Sequence, residues 1–408
     1  MGLPTKTVEI GFDLTSAGGP FFTLDDPVQG VLDNTDFTLG GTLFYDVTDY
    51  VININSNRGR SRELDKYNAG ALEVVFDNST RVFDPLNASS PYAGQIVPHR
   101  EIRVKSNGSA VFYGLIDDWN LNYNPGGDNT AAAVASDGFT LLAQQTLAAS
   151  TATPQLTGAR IIAVLDRPEV NWDSANRNID TGTINLQGDV IDEGAGALTY
   201  LQIVEQTESG NLFISKSGSI TFQDSLTGPS SSGLVVLTDD GTGIPFSNVA
   251  VVYGSELLYN RVVVTRLNGT PQTVEDTDSQ NSYGISSLNL DGLLFNSDVD
   301  ALALADALIG EYSEPEYRFD SITVQMSELT TIQQDSLLAL ELTDQVQIKF
   351  TPNNIGSQIV KYGQITGIEH RVGIFVHELT FKFRTLEFAE FVLDDAVFGL
   401  LDTGRLGN

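Results

Sequence analysis

The sequence predicts a mainly β chain with some helix that is divided into several domains. Its 408 residues are more than one hydrophobic core usually organises, so several units are expected. Short alternating or apolar runs recur between turn-forming residues along most of the chain, as is typical of antiparallel strands. Helical periodicity is sparse, and its best example covers residues 298–312.

The strand prediction depends on alternation that stops at turn residues. Residues 101–105 read Glu-Ile-Arg-Val-Lys and are followed by the turn pair Asn107-Gly108. Residues 71–77 show the same pattern before a polar turn. Further strands are predicted at 111–116, 219–224, 261–266, 320–326, 345–350, 359–368 and 373–384. We expect the last two to form a hairpin that turns through residues 371–373.

The helix at 298–312 has apolar side chains every three or four residues on one face. Ser297 is placed to cap its first turn, with Asp300 three residues later, and Pro315 lies just beyond its end. Weaker helices are predicted at 137–147, 155–166 and 196–207. Each of these is apolar on one side, so we expect each to pack on a sheet.

Changes in composition divide the chain into units. Residues 148–160 are rich in Ala, Ser and Thr, and residues 227–233 and 239–245 are rich in Gly, Ser, Thr and Asp. The predicted units are a first β unit (1–150), a middle mixed α/β unit (151–244), a second β unit (245–385) and a C-terminal segment (386–408). The two β units therefore flank a smaller mixed region.

The charge balance is strongly acidic, with 53 Asp and Glu against 22 Lys and Arg and a net charge of −31. Binding to nucleic-acid phosphates needs the opposite sign. Disulfides and thiolate sites are excluded because the chain has no cysteine. No N-terminal signal peptide and no apolar run of about 18 residues are present, so we expect no membrane insertion.

An eleven-residue segment occurs twice, once near each end of the chain. Residues 22–32 and 391–401 are identical at seven of eleven positions. The shared core of the repeat is Leu24, Asp25 and Asp26 in one copy and Leu393, Asp394 and Asp395 in the other. Two interpretations stay open, namely two equivalent docking positions on subunits or domains, or a local turn motif that is used twice.

No catalytic, cofactor or metal site is predicted. The three histidines, His99, His370 and His377, have no H-E-x-x-H or comparable zinc pattern around them. The sequence lacks a G-x-S-x-G nucleophile motif and a phosphate-binding Gly-rich loop. Its Asp-Asp pairs do not have calcium-loop spacing. The number of carboxylates alone leaves a glycoside hydrolase open, but only Trp119 and Trp172 are available for sugar stacking.

A basic island stands out in this acidic chain. Arg58, Arg60 and Arg62 lie within five residues of one another. Arginine forms directed pairs with carboxylates, so we expect these side chains to contact carboxylates of the chain itself or of a neighbour, in preference to nucleic acid. They are predicted to be subunit or interdomain contacts, together with the two copies of the repeat.

The sequence around this island resembles the minor tail proteins of siphophages, in particular their tail-tip hub (baseplate hub-like) proteins. The segments that carry the resemblance are 58–65, 68–78, 81–85, 90–92, 96–104 and 112–119. The second β unit resembles the same family at Asn260-Arg-Val-Val-Val264 and at the helix 298–312. The resemblance therefore extends over most of the chain.

The resemblance implies a homotrimer with two tube-like β-barrel domains per chain, which form a pseudo-sixfold ring. Such a ring adapts the sixfold tail tube to a threefold tip. The implied partners are the distal tail protein, the tape measure protein, and tail fibres or receptor-binding proteins. The implied location is the virion tail tip, after assembly in the host cytoplasm. Two explanations of the acidic composition stay open. An acidic lumen would let genomic DNA pass without specific binding, or the acidity keeps a large assembly soluble.

Two further expectations follow from the resemblance. The chain ends at Asn408, soon after the second β unit, so we expect no C-terminal lysozyme or peptidase domain and no enzymatic activity. The alternative to a hub is a peripheral tail protein that binds the host cell surface or its carbohydrate. A hub predicts a closed ring around an axial pore, whereas a peripheral adhesin predicts exposed aromatic grooves away from the axis.

Overall fold

The structure is a computed structural model, and it describes residues 2–12, 43–225 and 234–386. Both copies of the repeated segment lie outside these ranges. The prediction that they make subunit or interdomain contacts therefore stays a prediction. Its residues are Leu24, Asp25, Asp26, Leu393, Asp394 and Asp395.

Short strands make up most of the regular structure in the described ranges, and helices interrupt them. In chain order, the strands are β1 (Lys6–Gly11), β2 (Phe44–Asp46), β3 (Val51–Gly59), β4 (Asn68–Asp77), β5 (Glu101–Ser106), β6 (Ser109–Asn122), β7 (Thr130–Ser136), β8 (Thr146–Leu147), β9 (Ser150–Ala152), β10 (Gln155–Leu156), β11 (Arg177–Ile179), β12 (Asn185–Leu186), β13 (Asp189–Ile191), β14 (Ala195–Gly196), β15 (Asn211–Ile214), β16 (Ile220–Gln223), β17 (Val235–Thr238), β18 (Asn248–Tyr253), β19 (Arg261–Arg266), β20 (Gln272–Glu275), β21 (Ser287–Leu293), β22 (Tyr317–Gln325), β23 (Gln345–Phe350), β24 (Ile359–Val372) and β25 (His377–Leu386). The α-helices are α1 (Gly138–Gln144), α2 (Thr157–Leu165), α3 (Ala197–Glu208), α4 (Thr277–Tyr283), α5 (Asp298–Tyr312) and α6 (Thr331–Ala339).

A single thirteen-stranded sheet organises the chain. Its main order is β18-β22-β25-β24-β3-β4-β7-β6-β5-β1-β2, and β23 and β17 extend it beside β24. The first β unit supplies β1 to β7. The other half comes from β17, β18 and β22 to β25. The two halves join where β3 pairs antiparallel with β24, from Gly59 opposite Gly367 to Ile54 opposite Val372. The predicted fold class, mainly β with some helix and several domains, is confirmed.

Two smaller parts accompany this sheet. The middle unit contains α2, α3 and short strand pairs. Within the range predicted as the second β unit, β19 to β21 form a separate three-stranded sheet. The helix α5 packs on that sheet around its own core, which includes Val262, Val264 and Ala305. The predicted unit boundaries at 150, 244 and 385 stay a prediction.

The four predicted helices are confirmed as α1, α2, α3 and α5. In α5 the Ser297 hydroxyl accepts the backbone N–H of Asp300, as expected of its N-cap position. The helices α4 and α6 were not predicted, because neither has a clear apolar stripe. The helix α6 begins at a capping box made by Thr330 and Gln333.

The predicted hairpin of β24 and β25 is present, but its turn was placed too early. Val372 still pairs with His377, and the chain reverses over the next four residues, where the Gly373 N–H donates to the Val376 carbonyl at 2.8 Å. Val372 is buried, so packing continues the strand up to the glycine.

Gly59 makes the junction between the two halves possible. Its φ is +109°, and a Cβ at this position would lie 2.2 Å from the Thr366 carbonyl oxygen. We expect Gly59→Ala to lower the free energy of unfolding by at least ~3 kcal/mol, because both backbone strain and steric overlap oppose it. Denaturant titration measures this change.

Gly94→Ala is the matched control for this prediction. Gly94 also has a positive φ, of +75°, but nothing lies within 4 Å of its added Cβ. We expect Gly94→Ala to lower the free energy of unfolding by only about 1–2 kcal/mol, which is the cost of a positive φ for a residue with a Cβ. Equal losses in the two variants would contradict the role of close approach at Gly59.

Candidate interaction surface

One face of the thirteen-stranded sheet carries a row of polar, partly exposed side chains, and α5 contacts this face only farther along β25, where Glu311 pairs with Arg384. Pairing registers place nine residues in one row across this face from β5 to β18, and we call it the uncovered face. The row is Glu101, Leu115, Ser136, Ala71, Asn57, Glu369, Thr380, Thr323 and Asn248. Most of these side chains are polar and all are at least partly exposed.

The opposite face is packed. The neighbouring row of paired residues, one position along each strand, faces this side. It consists of Ile116, Ala135, Leu72, Ser56, His370, Leu379 and Val324. All seven residues are buried. Successive strand residues point to opposite faces, so the polar row and the apolar row follow from the same alternation. The sequence of β4, with Leu72, Glu73 and Val74, shows this alternation directly.

A hollow of about 490 Å³ lies at the middle of the uncovered face, where β25, β24, β3, β4 and β7 are adjacent. Its charged side chains largely pair with one another. Arg371 lies 3.3 Å from Glu378. Lys382 lies 2.6 Å from Glu369 on the same face. Glu73 accepts a long hydrogen bond of 3.5 Å from the Asn55 amide. The surface is therefore polar and partly exposed, without a concentrated charge of either sign.

Arg58 has a very different position. Its side chain is only 4% exposed on the packed side of β3. The guanidinium donates to the Glu341 carboxylate at 2.7 Å and to the Ile214 carbonyl at 3.3 Å. Glu341 also accepts the backbone N–H of Lys216 at 2.8 Å. We call this cluster the Arg58 junction (Arg58, Ile214, Lys216 and Glu341), and it brings together side chains and backbone from all three predicted units.

Burial changes the protonation behaviour of groups around the Arg58 junction. The Lys216 ammonium donates to the carbonyls that end α6, and burial lowers the pKa of Lys216. The carboxyl of Asp137 caps α1 and accepts the Gly70 N–H at 2.7 Å. Burial raises the pKa of Asp137 to about 7, although its hydrogen bonds and Arg58 act in the other direction. These groups hold the junction together and offer no reactive geometry.

The other two arginines of the basic island do not join Arg58. Arg60 donates to the Asp65 carbonyl at 3.3 Å, and its guanidinium lies 4.8 Å from the centre of the Tyr67 ring. Arg62 pairs with Glu256 at 2.9 Å, with both side chains more than half exposed. Because β3 ends at Gly59, Arg58 lies within the strand whereas Arg60 and Arg62 follow it, and the three side chains reach different partners. All three therefore face carboxylates or carbonyls of their own chain.

The histidines at the β24–β25 hairpin form a buried pair. The Nδ1 atom of His370 lies 3.1 Å from the Nε2 atom of His377. Burial lowers the pKa of His377 to about 4 and holds the pKa of His370 well below its ordinary value. Both rings are therefore neutral at pH 7. In residues 2–12, 43–225 and 234–386, no group of three His, Cys, Asp or Glu side chains is placed to hold a metal ion.

The sheet has open edges within the described residues. The main order begins at β18 and ends at β2, and each of these strands has one paired neighbour. Val252 and Tyr253 at the end of β18 are 42% and 68% exposed. Edge strands with exposed apolar residues readily pair with another chain. None of the helices in the described part of the chain is both long and apolar enough to cross a membrane.

Several residues of this surface were not singled out from the sequence. Glu341 and Lys216 are far from Arg58 in the chain, and no local pattern links them. The uncovered face has a weak signal in the alternation of Asn55, Ser56 and Asn57 within β3. Such alternation indicates a strand with one polar face, but it does not say which strands lie side by side.

Comparison with known proteins gives structural matches only. No model of a known protein family matches this sequence. No curated protein matches it either.

Solved structures with a similar fold cover most of the chain. A tail protein from Neisseria meningitidis MC58 has a TM-score of 0.57 and 10% sequence identity, over 83% of this chain and 97% of that one. The 43 kDa tail protein of prophage MuSo2 from Shewanella oneidensis has a TM-score of 0.52 and 12% identity, over 84% and 94%. The prophage tail protein gp18 from Listeria monocytogenes EGD-e has a TM-score of 0.50 and 11% identity, over 93% and 95%. The chain therefore has the fold of these phage tail proteins.

Proposed function

We propose that the chain is a structural subunit of a bacteriophage tail, and that three copies form a ring at the tail tip. The observation that carries this proposal is the continuous thirteen-stranded sheet, whose end strands β18 and β2 each have one paired neighbour among the described residues and which has an exposed polar row on one face. The fold shared with three phage tail proteins supports the tail role. The sequence resemblance to siphophage tail-tip hubs supports the position at the tip.

The architecture of the sheet supports the ring. Each chain brings two β units joined at β3 and β24, so three chains bring six units, which matches a sixfold tail tube. The edge strands β2 and β18 of neighbouring copies would close the sheet, because unpaired edges gain backbone hydrogen bonds on pairing. The uncovered face lines the channel in this arrangement, and the packed face lies outward.

The charges of the uncovered face suit a channel through which DNA passes without binding. Carboxylates and basic groups are interspersed there, among them Glu9, Glu73, Glu101, Asp118, Glu369, Glu378, Arg103, Lys105, Arg371, Lys382 and Arg384. Because charges of both signs alternate and pair on this face, it has no basic patch that would hold phosphates, and any repulsion acts only within about 8 Å at physiological salt. Most of the net charge of −31 lies elsewhere, where acidity favours solubility.

The partners in this proposal are those of a tail-tip hub. The ring contacts the distal tail protein above, the tape measure protein inside, and tail fibres or receptor-binding proteins outside. The subunit is assembled in the host cytoplasm and remains in the virion tail tip. We assign no catalytic step, no cofactor and no membrane insertion to it.

Measuring the mass of the purified chain in solution tests the ring. We expect a particle of three times the 44.0 kDa of one chain, with threefold symmetry in negative-stain images. Val252→Lys with Tyr253→Lys is expected to shift this particle to monomer, because charged side chains at an edge strand oppose pairing.

Val190→Lys is the matched control, since Val190 is 68% exposed but lies in β13, away from the large sheet. It is expected to leave the trimer intact. A wild-type monomer at micromolar concentration would argue against the ring and favour a peripheral tail protein. Dissociation by the control as well would show that β18 has no special role.

A further inference from the structure

A groove lies where the described chain ends after β25. It consists of two adjoining hollows of about 640 and 240 Å³. Both hollows are lined by Ser209, Asn211, Glu311 and Arg384, so they are continuous. We call them together the β25 groove. Its walls come from the end of α3, from α5 and from β21.

The smaller hollow has an apolar wall. Leu288 and Leu290 of β21 and Leu304 and Leu308 of α5 line it. These four side chains pack against the small core beneath α5 but keep part of their surface exposed. Four neighbouring leucines that line a concave surface form a site suited to apolar side chains.

The chain itself leads into this groove. Thr385 and Leu386, the last residues of β25, line the larger hollow. The sequence continues for 22 residues, from Glu387 to Asn408. Its first part, residues 387–401, is rich in large apolar residues, which are Phe388, Phe391, Val392, Leu393, Val397, Phe398, Leu400 and Leu401. This stretch contains the C-terminal copy of the repeat.

We propose that residues 387–401 of the same chain occupy the β25 groove, with their apolar side chains against its four leucines. The segment begins at the rim of the groove, so its local concentration there is high and no second molecule is needed. Burial of the phenylalanine rings against the leucines supplies the free energy of docking. The C-terminal copy of the repeat is then a docking sequence.

The N-terminal copy starts from a different place. It lies between Phe12 and Leu43, whose backbones are joined by a hydrogen bond of 3.1 Å at the β1–β2 end of the sheet. Neither β1 nor β2 lines the groove, whereas the C-terminal segment begins at its rim, directly after Leu386. We therefore assign the groove to the C-terminal copy alone.

Thiol accessibility tests this assignment in the full chain. The sequence has no cysteine, so Leu308→Cys introduces a single reporter in the groove wall. The rate at which a small maleimide labels this thiol is measured in two variants. One carries the reporter alone, and the other also carries Phe388→Ser, Phe391→Ser and Phe398→Ser. We expect the three serine substitutions to raise the labelling rate at least tenfold, because they release the segment that covers the reporter.

The N-terminal copy provides the matched control. Phe22→Ser, Leu24→Ser and Leu32→Ser make comparable changes in the other repeat and are expected to leave the labelling rate unchanged. The same series with Leu304→Cys as reporter guards against a reporter that itself disturbs folding. Val190→Cys, at an exposed position of β13, gives the labelling rate of an unprotected thiol.

Three results would overturn the proposal. Equal labelling of the groove reporters with the intact and the substituted C-terminal segment would mean that the segment does not cover the groove. Faster labelling after the N-terminal substitutions would mean that the N-terminal copy of the repeat occupies the groove. Protection that disappears on dilution would mean that the segment comes from a second molecule.

Discussion

Replacing Arg58 with alanine is expected to lower the free energy of unfolding by about 3–5 kcal/mol. The guanidinium is almost fully buried, and it pairs with Glu341 and the Ile214 carbonyl in the Arg58 junction. Without it the Glu341 carboxylate stays in a poorly hydrated position without its cation. Removal of one partner of a buried ion pair costs more than the pair itself contributes.

Arg62→Ala is the matched comparison for Arg58→Ala. Arg62 belongs to the same basic island and also pairs with a glutamate, Glu256, but both side chains are exposed. We expect its loss to cost less than about 1 kcal/mol. Urea unfolding of both variants, followed by fluorescence and circular dichroism, measures the difference. Similar losses for the two arginines would contradict the structural role of Arg58.

The His370–His377 pair is expected to oppose stability in acid. Its folded-state pKa values are depressed, to about 4 for His377, whereas an unfolded histidine titrates near 6.5. Between these values the unfolded chain binds protons that the folded chain does not, so stability is lost as the pH falls from 6.5 towards 4. Each histidine contributes about 1.4 kcal/mol per pH unit in this range.

The double variant His370→Leu/His377→Leu isolates this effect. Both imidazole rings are replaced together by apolar side chains, so neither ring is left without its partner, and we expect little change at pH 7.5. Relative to wild type, its free energy of unfolding is expected to rise by several kcal/mol between pH 6.5 and pH 4.5, at about 1.4 kcal/mol per histidine and pH unit. Denaturant titrations at four pH values measure the difference.

Glu205→Gln is the control for the double variant, because it should change the pH dependence in the opposite direction. Burial raises the pKa of Glu205 to about 7, so the folded chain binds a proton that the unfolded chain lacks between about pH 4.3 and 7. The wild type therefore gains stability from Glu205 as the pH falls, and the glutamine variant loses this gain. A difference between the histidine variant and wild type that does not depend on pH would contradict the buried neutral pair.

Local pattern in the sequence was sufficient for many elements. The strands predicted at 261–266 and 345–350 and the helix at 298–312 have the observed bounds. Alternation and periodicity are properties of neighbouring residues, so they can be read without knowledge of the fold. The hairpin turn was misplaced because Gly373 is the only strong turn residue there, whereas packing of Val372 continues the strand.

The β class, the main helices and the lack of recognisable catalytic motifs follow from the amino-acid sequence alone. The pairing of β3 with β24, more than 300 residues later, and the burial of Arg58 beside an exposed Arg62 depend on the tertiary structure. The two arginines are four residues apart in one motif, and nothing local distinguishes them. Their difference arises because Arg58 is the last residue before Gly59 ends the strand, and its partners, Ile214 and Glu341, lie 156 and 283 residues away in the chain.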